Sequence, residues 1–479
     1  MTSDTNTTPG EAVTGPDLES EQPAVQPEAA SEQPAVQPEA QPAPPIEGQT
    51  AIEPQPAIEG QTAIEPQPAI EGQAAIEPQP AIEVQIDKWV YGGASLARAN
   101  GKVLMIPFAL PGERVRVEIV KDHGGFAEAR VQEWLERSPE RVEPQCPVFA
   151  RCGGCHYQHA AAEFQAARKA EITREVFRRV GKLDAPAEIG ILAGEPWGYR
   201  NRTQFHCDGR EIGFLEAGSH KLVAVDHCPI SAPKINESLD ALRYMLRDRG
   251  WPLFVRSLEL FTNGSQTMVN VLETEGGRGV AKGFFDWLGK HIEGAALGGI
   301  DYAAAGETYH VSHGAFFQVN RFMVDALAEK AVEGAEGRVA LDLYSGVGLF
   351  AVRLARQFAA VAAVESNHQA ARDLALNAEH AGVKVEIHSM QAEQYLGSLK
   401  TPPDFVLADP PRSGLGKRVV EHLIRLRPQQ IHVVSCDPAT LARDAAGLIA
   451  GGYRLEKLSV ADLFPQTYHI ESIAAFRRV

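Results

Sequence analysis

The first 84 residues contain no lysine, arginine, aromatic residue or cysteine. They carry 15 acidic residues and repeat themselves: EQPAVQPEA occurs at Glu21 and Glu32, and IEGQ(T/A)AIEPQPA occurs three times from Ile46 at a twelve-residue spacing. A mixture of Pro, Gln, Ala and Glu buries too little apolar surface to offset the entropy of ordering the chain. Residues 1–84 are therefore expected to be a disordered, solubilising tail of polyproline character. Proline in every repeat and the lack of a large apolar face argue against a small solenoid. The chain also has no apolar run approaching 18 residues, and no basic n-region followed by an apolar h-region. The expectation is a soluble, cytoplasmic protein. The whole sequence has a formal charge of −16, but without the tail's 15 acids the body holds 46 basic against 47 acidic residues, a net of −1. A polyanionic partner is not excluded, provided local basic patches hold it.

The residues that carry chemistry lie near the C-terminus. DFVLADPPRSGLG (Asp404 to Gly416) and IHVVSCDPATLARD (Ile431 to Asp444) are short apolar runs that stop abruptly on reactive or polar groups. Both read as buried parallel strands opening into loops, and strand ends of that kind border the ligand crevice of an open α/β sheet. Cys436, between a strand and a helix start at Pro438, is placed like a nucleophile; the plainer reading is a small apolar side chain ending a core strand. Upstream, VALDLYSGVGLFAVRLA (Val339 to Ala355) runs from strand through a glycine turn into a helical pattern. A second strand then ends on Glu365, an acid suited to the two hydroxyls of a ribose. The turn reads GVGLFA, with alanine at the third glycine position of the dinucleotide form. Asp342 would repel a pyrophosphate but suits a sulfonium and an amino group, so the ligand expected is S-adenosylmethionine.

Together with FFQVN (Phe316 to Asn320) and FPQTYHIES (Phe464 to Ser472), these stretches resemble, in the same order, the catalytic domain of the RNA uracil-C5 methyltransferases. The resemblance implies a Rossmann-like methyltransferase domain over 301–479, with Gln318, Tyr344, Glu365 and Asp409 at S-adenosylmethionine. C5 of uridine is a poor nucleophile, and thiolate addition at C6 gives it carbanion character; Cys436 suits that task. Glu471 matches the family's base for the C5 proton, and its neighbours Ile470 and Ile473 predict partial burial and a raised pKa. Arg443 and Asp444 either orient the nucleophile loop or cap the helix after it. Two departures from the family pattern are Leu349, where some ribosomal members carry a cofactor-contacting Asn, and SCDP in place of the commoner SCNP.

Residues 85–137 show short alternating strands punctuated by glycines, as in a small closed barrel. The stretch resembles the TRAM domain, an OB-like RNA-binding module. Arg98, Lys102, Arg116 and Lys121 are its candidate RNA-facing groups. Trp89, Tyr91 and Phe126 either stack bases or fill the barrel. Residues 138–300 read as an α+β central domain. There Cys146, Cys152 and Cys155 form C-x5-C-x2-C, with Cys228 far downstream, a set that suits zinc or an iron–sulfur cluster on spacing alone. The resemblance to ribosomal members implies a [4Fe-4S] cluster on all four cysteines. Cys207 reads as a packed core residue. The helical stretch from Ala161 has an apolar stripe and a basic run that includes Lys169, and Arg200 with Arg202 form a guanidinium pair suited to phosphate.

The expected protein is a monomeric 23S rRNA uridine methyltransferase with a TRAM-like barrel, a cluster-bearing central domain and no membrane association. The alternatives are a tRNA uridine-C5 methyltransferase and a non-catalytic iron–sulfur RNA-binding protein.

Overall fold

A computed structural model describes residues 81–479. The expectation of disorder falls outside these residues up to residue 80. Its last positions are not tail, because β1 (Ile82–Trp89) already begins there and its alternation puts Val84 and Ile86 inside a barrel. The barrel thus starts three residues before the expected boundary. β2 (Ala94–Ala99), β3 (Lys102–Pro107), β4 (Arg114–Asp122) and β5 (Phe126–Glu136) complete it, closing in the order β1-β2-β3-β5-β4. Closure leaves no unpaired edge, and Leu104, Ile106, Val115 and Val117 fill the interior.

The chain then enters α1 (Ala162–Val176), which runs on into a π-helical turn at Phe177–Gly181. Lys169 of this helix departs from the expected basic face. It is fully buried, and its Nζ donates to Asp462 Oδ1 at 2.7 Å and to the Phe464 carbonyl at 2.9 Å. β6 (Gly190–Leu192) follows, and a six-stranded sheet is built from β7 (Arg202–Asp208), β8 (Glu211–Leu215), β9 (Leu222–Ala224), β10 (Val255–Thr262), β11 (Thr267–Thr274) and β12 (Ala295–Ala296). α2 (Pro233–Met245) and α3 (Lys282–His291) bury their apolar faces in one core with this sheet, and Cys207 is packed there as expected. β13 (Gly299–Ala304) and β14 (Glu307–Ser312) form a separate hairpin.

The last part is an α/β layer: α4 (Val324–Ala331), β15 (Val339–Leu343), α5 (Leu349–Leu354), β16 (Ala360–Val364), α6 (His368–His380), β17 (Glu386–His388) and α7 (Ala392–Ser398). It continues with β18 (Phe405–Ala408), α8 (Gly416–Leu426), β19 (Gln430–Ser435), α9 (Pro438–Ala450), β20 (Tyr453–Ala461) and β21 (Glu471–Arg478). The sheet order is β17-β16-β15-β18-β19-β21-β20-β6. β15 to β19 are parallel, whereas β21 inserts antiparallel between β19 and β20. All four residues of β18 are apolar and buried, and all six of β19 are buried although Gln430, His432 and Ser435 are polar. β6 pairs parallel with β20, so a strand from the expected central segment edges the catalytic sheet.

Candidate active site

The carboxyl ends of β15, β18 and β19 and the first residue of β21 lie along one edge of the sheet, the side on which open α/β sheets place their ligands. In the β19–β21 ladder Ser435 is paired with Ser472, so one step further Cys436 and Glu471 stand side by side on the same face. Burial, then the Glu471 and Asp409 carboxyls, push the Cys436 thiol up to about 11, while Arg412 pulls it down. Glu471 is buried, and its carboxyl is raised well above the usual range by burial and by Asp409. Asp409 is pushed up to about 7 by burial, against the Gln318 amide, whose Nε2 donates to its Oδ2 at 3.3 Å. The Asp409 charge thus favours the protonated form of Glu471. Gln318 and Asp409, widely separated in sequence, are therefore joined, and Asp409 also faces the Cys436–Glu471 pair. Arg412 went unremarked as a single residue in the sequence, although it is the cation that favours the thiolate.

The cofactor side is built on the β15 turn. Tyr344 takes a left-handed φ of 62°, followed by Gly346 at 53° and Gly348 at 98°. A side chain at Gly348 would meet Leu374 Cγ at 3.0 Å, so the turn presses its backbone onto α6. Glu365 Oε2 accepts the Gly346 N–H at 2.9 Å and its Oε1 accepts the Asn367 N–H at 2.6 Å, which aims the acid along the turn. Asp342 is fully buried, and its carboxylate oxygens have no partner in good hydrogen-bond geometry; the nearby Ser345 hydroxyl and Ala351 N–H offset its burial only in part. Burial, then the Asp409 charge, raise its pKa well above the usual range. An orphaned buried acid beside a glycine turn fits a ligand that brings its own positive charge, as a sulfonium and an ammonium do.

Arg443 and Asp444 do neither of the things expected of them. Asp444 Oδ2 accepts the Leu415 N–H at 2.7 Å and Arg443 Nη2 donates to the Ser413 carbonyl at 2.8 Å, so the pair ties down the loop after Asp409. The cap of α9 is Asp437 instead, whose side chain accepts from Ala439 and Thr440.

Cys146, Cys152, Cys155 and Cys228 line one cavity of about 120 Å³, walled by Phe149, Phe214 and Ile230 with Arg200 at its rim. Burial raises the Cys152 thiol to about 11 and the Cys155 thiol to about 12. Among the described residues no three His, Cys, Asp or Glu side chains lie close enough to hold a single metal ion. Arg200 lies at this cavity, and Arg202 is buried, donating to Glu259 at 2.7 Å and to the Ala315 carbonyl at 2.9 Å. The expected phosphate grip by the two guanidiniums is thus absent, since one of them is used up inside the protein.

The barrel's candidate RNA groups also divide. Trp89 is buried, stacked on Tyr157 with ring centroids 3.9 Å apart, and so is closed to a base. Phe126 is 40% exposed against His123. Arg98 pairs with Asp87, Lys102 with Asp122, and Arg116 with Glu83 and Glu133. Surface pairs of this kind are weak enough to yield to phosphate.

Known proteins resemble the chain along most of its length. A family model described as tRNA (Uracil-5-)-methyltransferase matches residues 302–479, and the TRAM domain model matches 81–132. The 23S rRNA (uracil(1939)-C(5))-methyltransferase of Salmonella choleraesuis is 34% identical over 81% of this chain and 94% of its own length. Its counterpart of the same description in Chromohalobacter salexigens is 34% identical over 82% of this chain and 89% of its own. Among solved structures, the Pyrococcus abyssi tRNA (uracil-54, C5)-methyltransferase in complex with S-adenosyl-L-homocysteine gives a TM-score of 0.65 at 25% identity. That likeness covers 82% of this chain and all of the other.

Proposed function

The chain belongs to the RNA uracil-C5 methyltransferase family, and from that premise we propose how its residues methylate C5 of a uridine with S-adenosylmethionine, and in which RNA. One observation carries the reading: Cys436, Glu471 and Asp409, far apart in sequence, meet at the end of one sheet beside an acid-lined glycine turn. S-adenosylmethionine supplies the methyl group on its sulfonium, with Asp342, Glu365, Tyr344 and Gln318 holding it. The Cys436 thiol gives up its proton to solvent, and its thiolate forms a bond to C6 of the uracil, moving electron density to C5. C5 then forms a bond to the methyl carbon as the S–CH3 bond breaks, its electron pair going to sulfur, so that neutral S-adenosylhomocysteine is left. Glu471 accepts the C5 proton, the electron pair of that C–H bond rebuilds the C5–C6 double bond, and the S–C6 bond breaks to return the thiolate. Glu471 releases its proton to solvent before the next turnover. Its raised pKa suits a base that must bind a proton from carbon and then let it go. The target base must leave its stack to reach this crevice.

The substrate read for this chain is 23S rRNA. The named relatives are described as acting on that RNA, and the likeness covers 81–82% of this chain. A tRNA substrate is the second reading, favoured by the structural likeness to a tRNA enzyme. The barrel from Ile82, the segment over 138–300 and the catalytic domain over 301–479 would share the work, the first two presenting RNA to the third.

We assign Cys146, Cys152, Cys155 and Cys228 to a [4Fe-4S] cluster that braces the RNA-facing segment. Support comes from the resemblance of the cysteine pattern to that of the ribosomal members and from four thiols around one cavity. Arg200 at the rim offsets the charge of thiolates there. Protein purified without oxygen should hold about four irons and four sulfides per chain; one zinc per chain would overturn the assignment.

Cys436→Ala should abolish 5-methyluridine formation while S-adenosylmethionine binding by calorimetry stays within about threefold. Continued turnover would remove the covalent route. Nucleoside mapping of rRNA and tRNA from a strain lacking the gene decides between the two substrates.

A further inference from the structure

Tyr91 sits in the turn between β1 and β2, 346 residues from Asp437, yet its hydroxyl donates a hydrogen bond to Asp437 Oδ2 at 3.0 Å. Asp437 directly follows Cys436. Its other oxygen, Oδ1, accepts the Ala439 and Thr440 N–H groups at 2.8 and 2.9 Å and so fixes the start of α9. The carboxylate is therefore fully engaged, one oxygen on the helix and the other on the barrel. The Ser435 hydroxyl donates to the Asp437 carbonyl at 3.1 Å, which pins the peptide on either side of Cys436.

The barrel turn that delivers Tyr91 is itself held firmly. The Val90 N–H donates to the Ala94 carbonyl at 3.0 Å across its neck. Gly93, at a φ of 94°, brings its backbone so close that a Cβ would lie 3.1 Å from His156 and 3.2 Å from Tyr468. The Tyr91 ring meets Tyr468 edge-on at 6.0 Å, three residues before Glu471. One turn of the barrel thus touches both strand ends that bear the reacting pair.

We propose that Tyr91 is a positioning residue for methyl transfer: through Asp437 it sets the direction of the Cys436 sulfur, so the barrel completes the catalytic crevice. The inference rests on Cys436 being the nucleophile and adds a role to a residue outside the catalytic domain. It also gives a physical reason for aspartate in SCDP. A carboxylate accepts from the helix with one oxygen and from the phenol with the other in a charge-assisted bond, whereas an asparagine amide would meet the phenol oxygen as a neutral donor.

The test uses the full chain and four proteins: wild type, Tyr91→Phe, Asp437→Asn and the double variant. Total RNA from a strain lacking the gene serves as substrate, since it contains the target whichever RNA bears it. Tyr91→Phe leaves one carboxylate oxygen unpaired beside Cys436, and kcat should fall about tenfold with KM for RNA within about twofold. In the double variant the neutral amide needs no phenol, so kcat should return to within about threefold of Asp437→Asn alone. A second readout needs no RNA: peptide-resolved alkylation of Cys436 by iodoacetamide should change at least about threefold in Tyr91→Phe, because thiol reactivity follows its surroundings. A Tyr91→Phe enzyme with wild-type kcat and wild-type Cys436 alkylation, merely melting earlier, would overturn the proposal and leave the bond as barrel glue. An active Cys436→Ala enzyme would instead sink the nucleophile assignment beneath it.

Discussion

Asp342 carries a carboxyl that the fold holds at a cost to its own stability. Its folded-state pKa is raised above the ordinary carboxylate value, chiefly by burial. A group shifted in that direction contributes stability below its unfolded pKa and loses that contribution as pH rises through the folded value. Asp342→Asn should therefore melt a few °C above the unliganded wild type at neutral pH, and the gap should widen between pH 5 and 8. The same variant should bind S-adenosylmethionine at least about tenfold more weakly, read by calorimetry. Equal melting temperatures across that pH range would mean that the acid already has a partner. Cys436, Asp409 and Glu471 were legible in the sequence because each stands at or next to a strand end, and Asp342 because it interrupts an apolar strand just before a glycine turn. Tyr91 and Lys169 were not. Their partners, Asp437 and Asp462, lie 346 and 293 positions away, and no local pattern encodes a hydrogen bond across that distance.

Among the elements, the loop after β18 depends most on its neighbours. Gly414 adopts a φ of 77°, and a Cβ there would come within 2.4 Å of Asp444 Oδ2 and 3.0 Å of Thr440 Cβ. Gly414→Ala should cost about 1–3 kcal/mol in urea unfolding through strain and displaced contacts. It should also lower activity more than S-adenosylmethionine affinity, because the loop carries Arg412 toward Cys436 and Glu471. A variant as stable and active as wild type would show that the loop has other ways to settle. The parallel strands were readable from their unbroken apolar runs, and the barrel strands from alternation and glycine turns. The short β6 was not, since three residues hold no period, and only pairing with β20 makes them a strand.

For the whole molecule, the boundary between repeat and barrel matters most. The third repeat runs to Ala81, and the next residues, Ile82 to Val84, pair with β4. A chain beginning at residue 81 should keep its activity within a few-fold. One beginning at residue 85 removes Ile82 and buried Val84 from the barrel and should lose about 2–4 kcal/mol, seen as an earlier first melting transition. Equal melting of the two chains would place the fold's true start further along. The strand order carries a consequence for how this protein is made. β21, the last strand in the chain, lies between β19 and β20 rather than at an edge, and its first residue is Glu471. While a ribosome is still translating, the β19 and β20 flanks face an open slot that nothing made earlier can close. The barrel can mature during synthesis, but Glu471 comes beside Cys436, and the sheet becomes continuous, only when β21 inserts between β19 and β20.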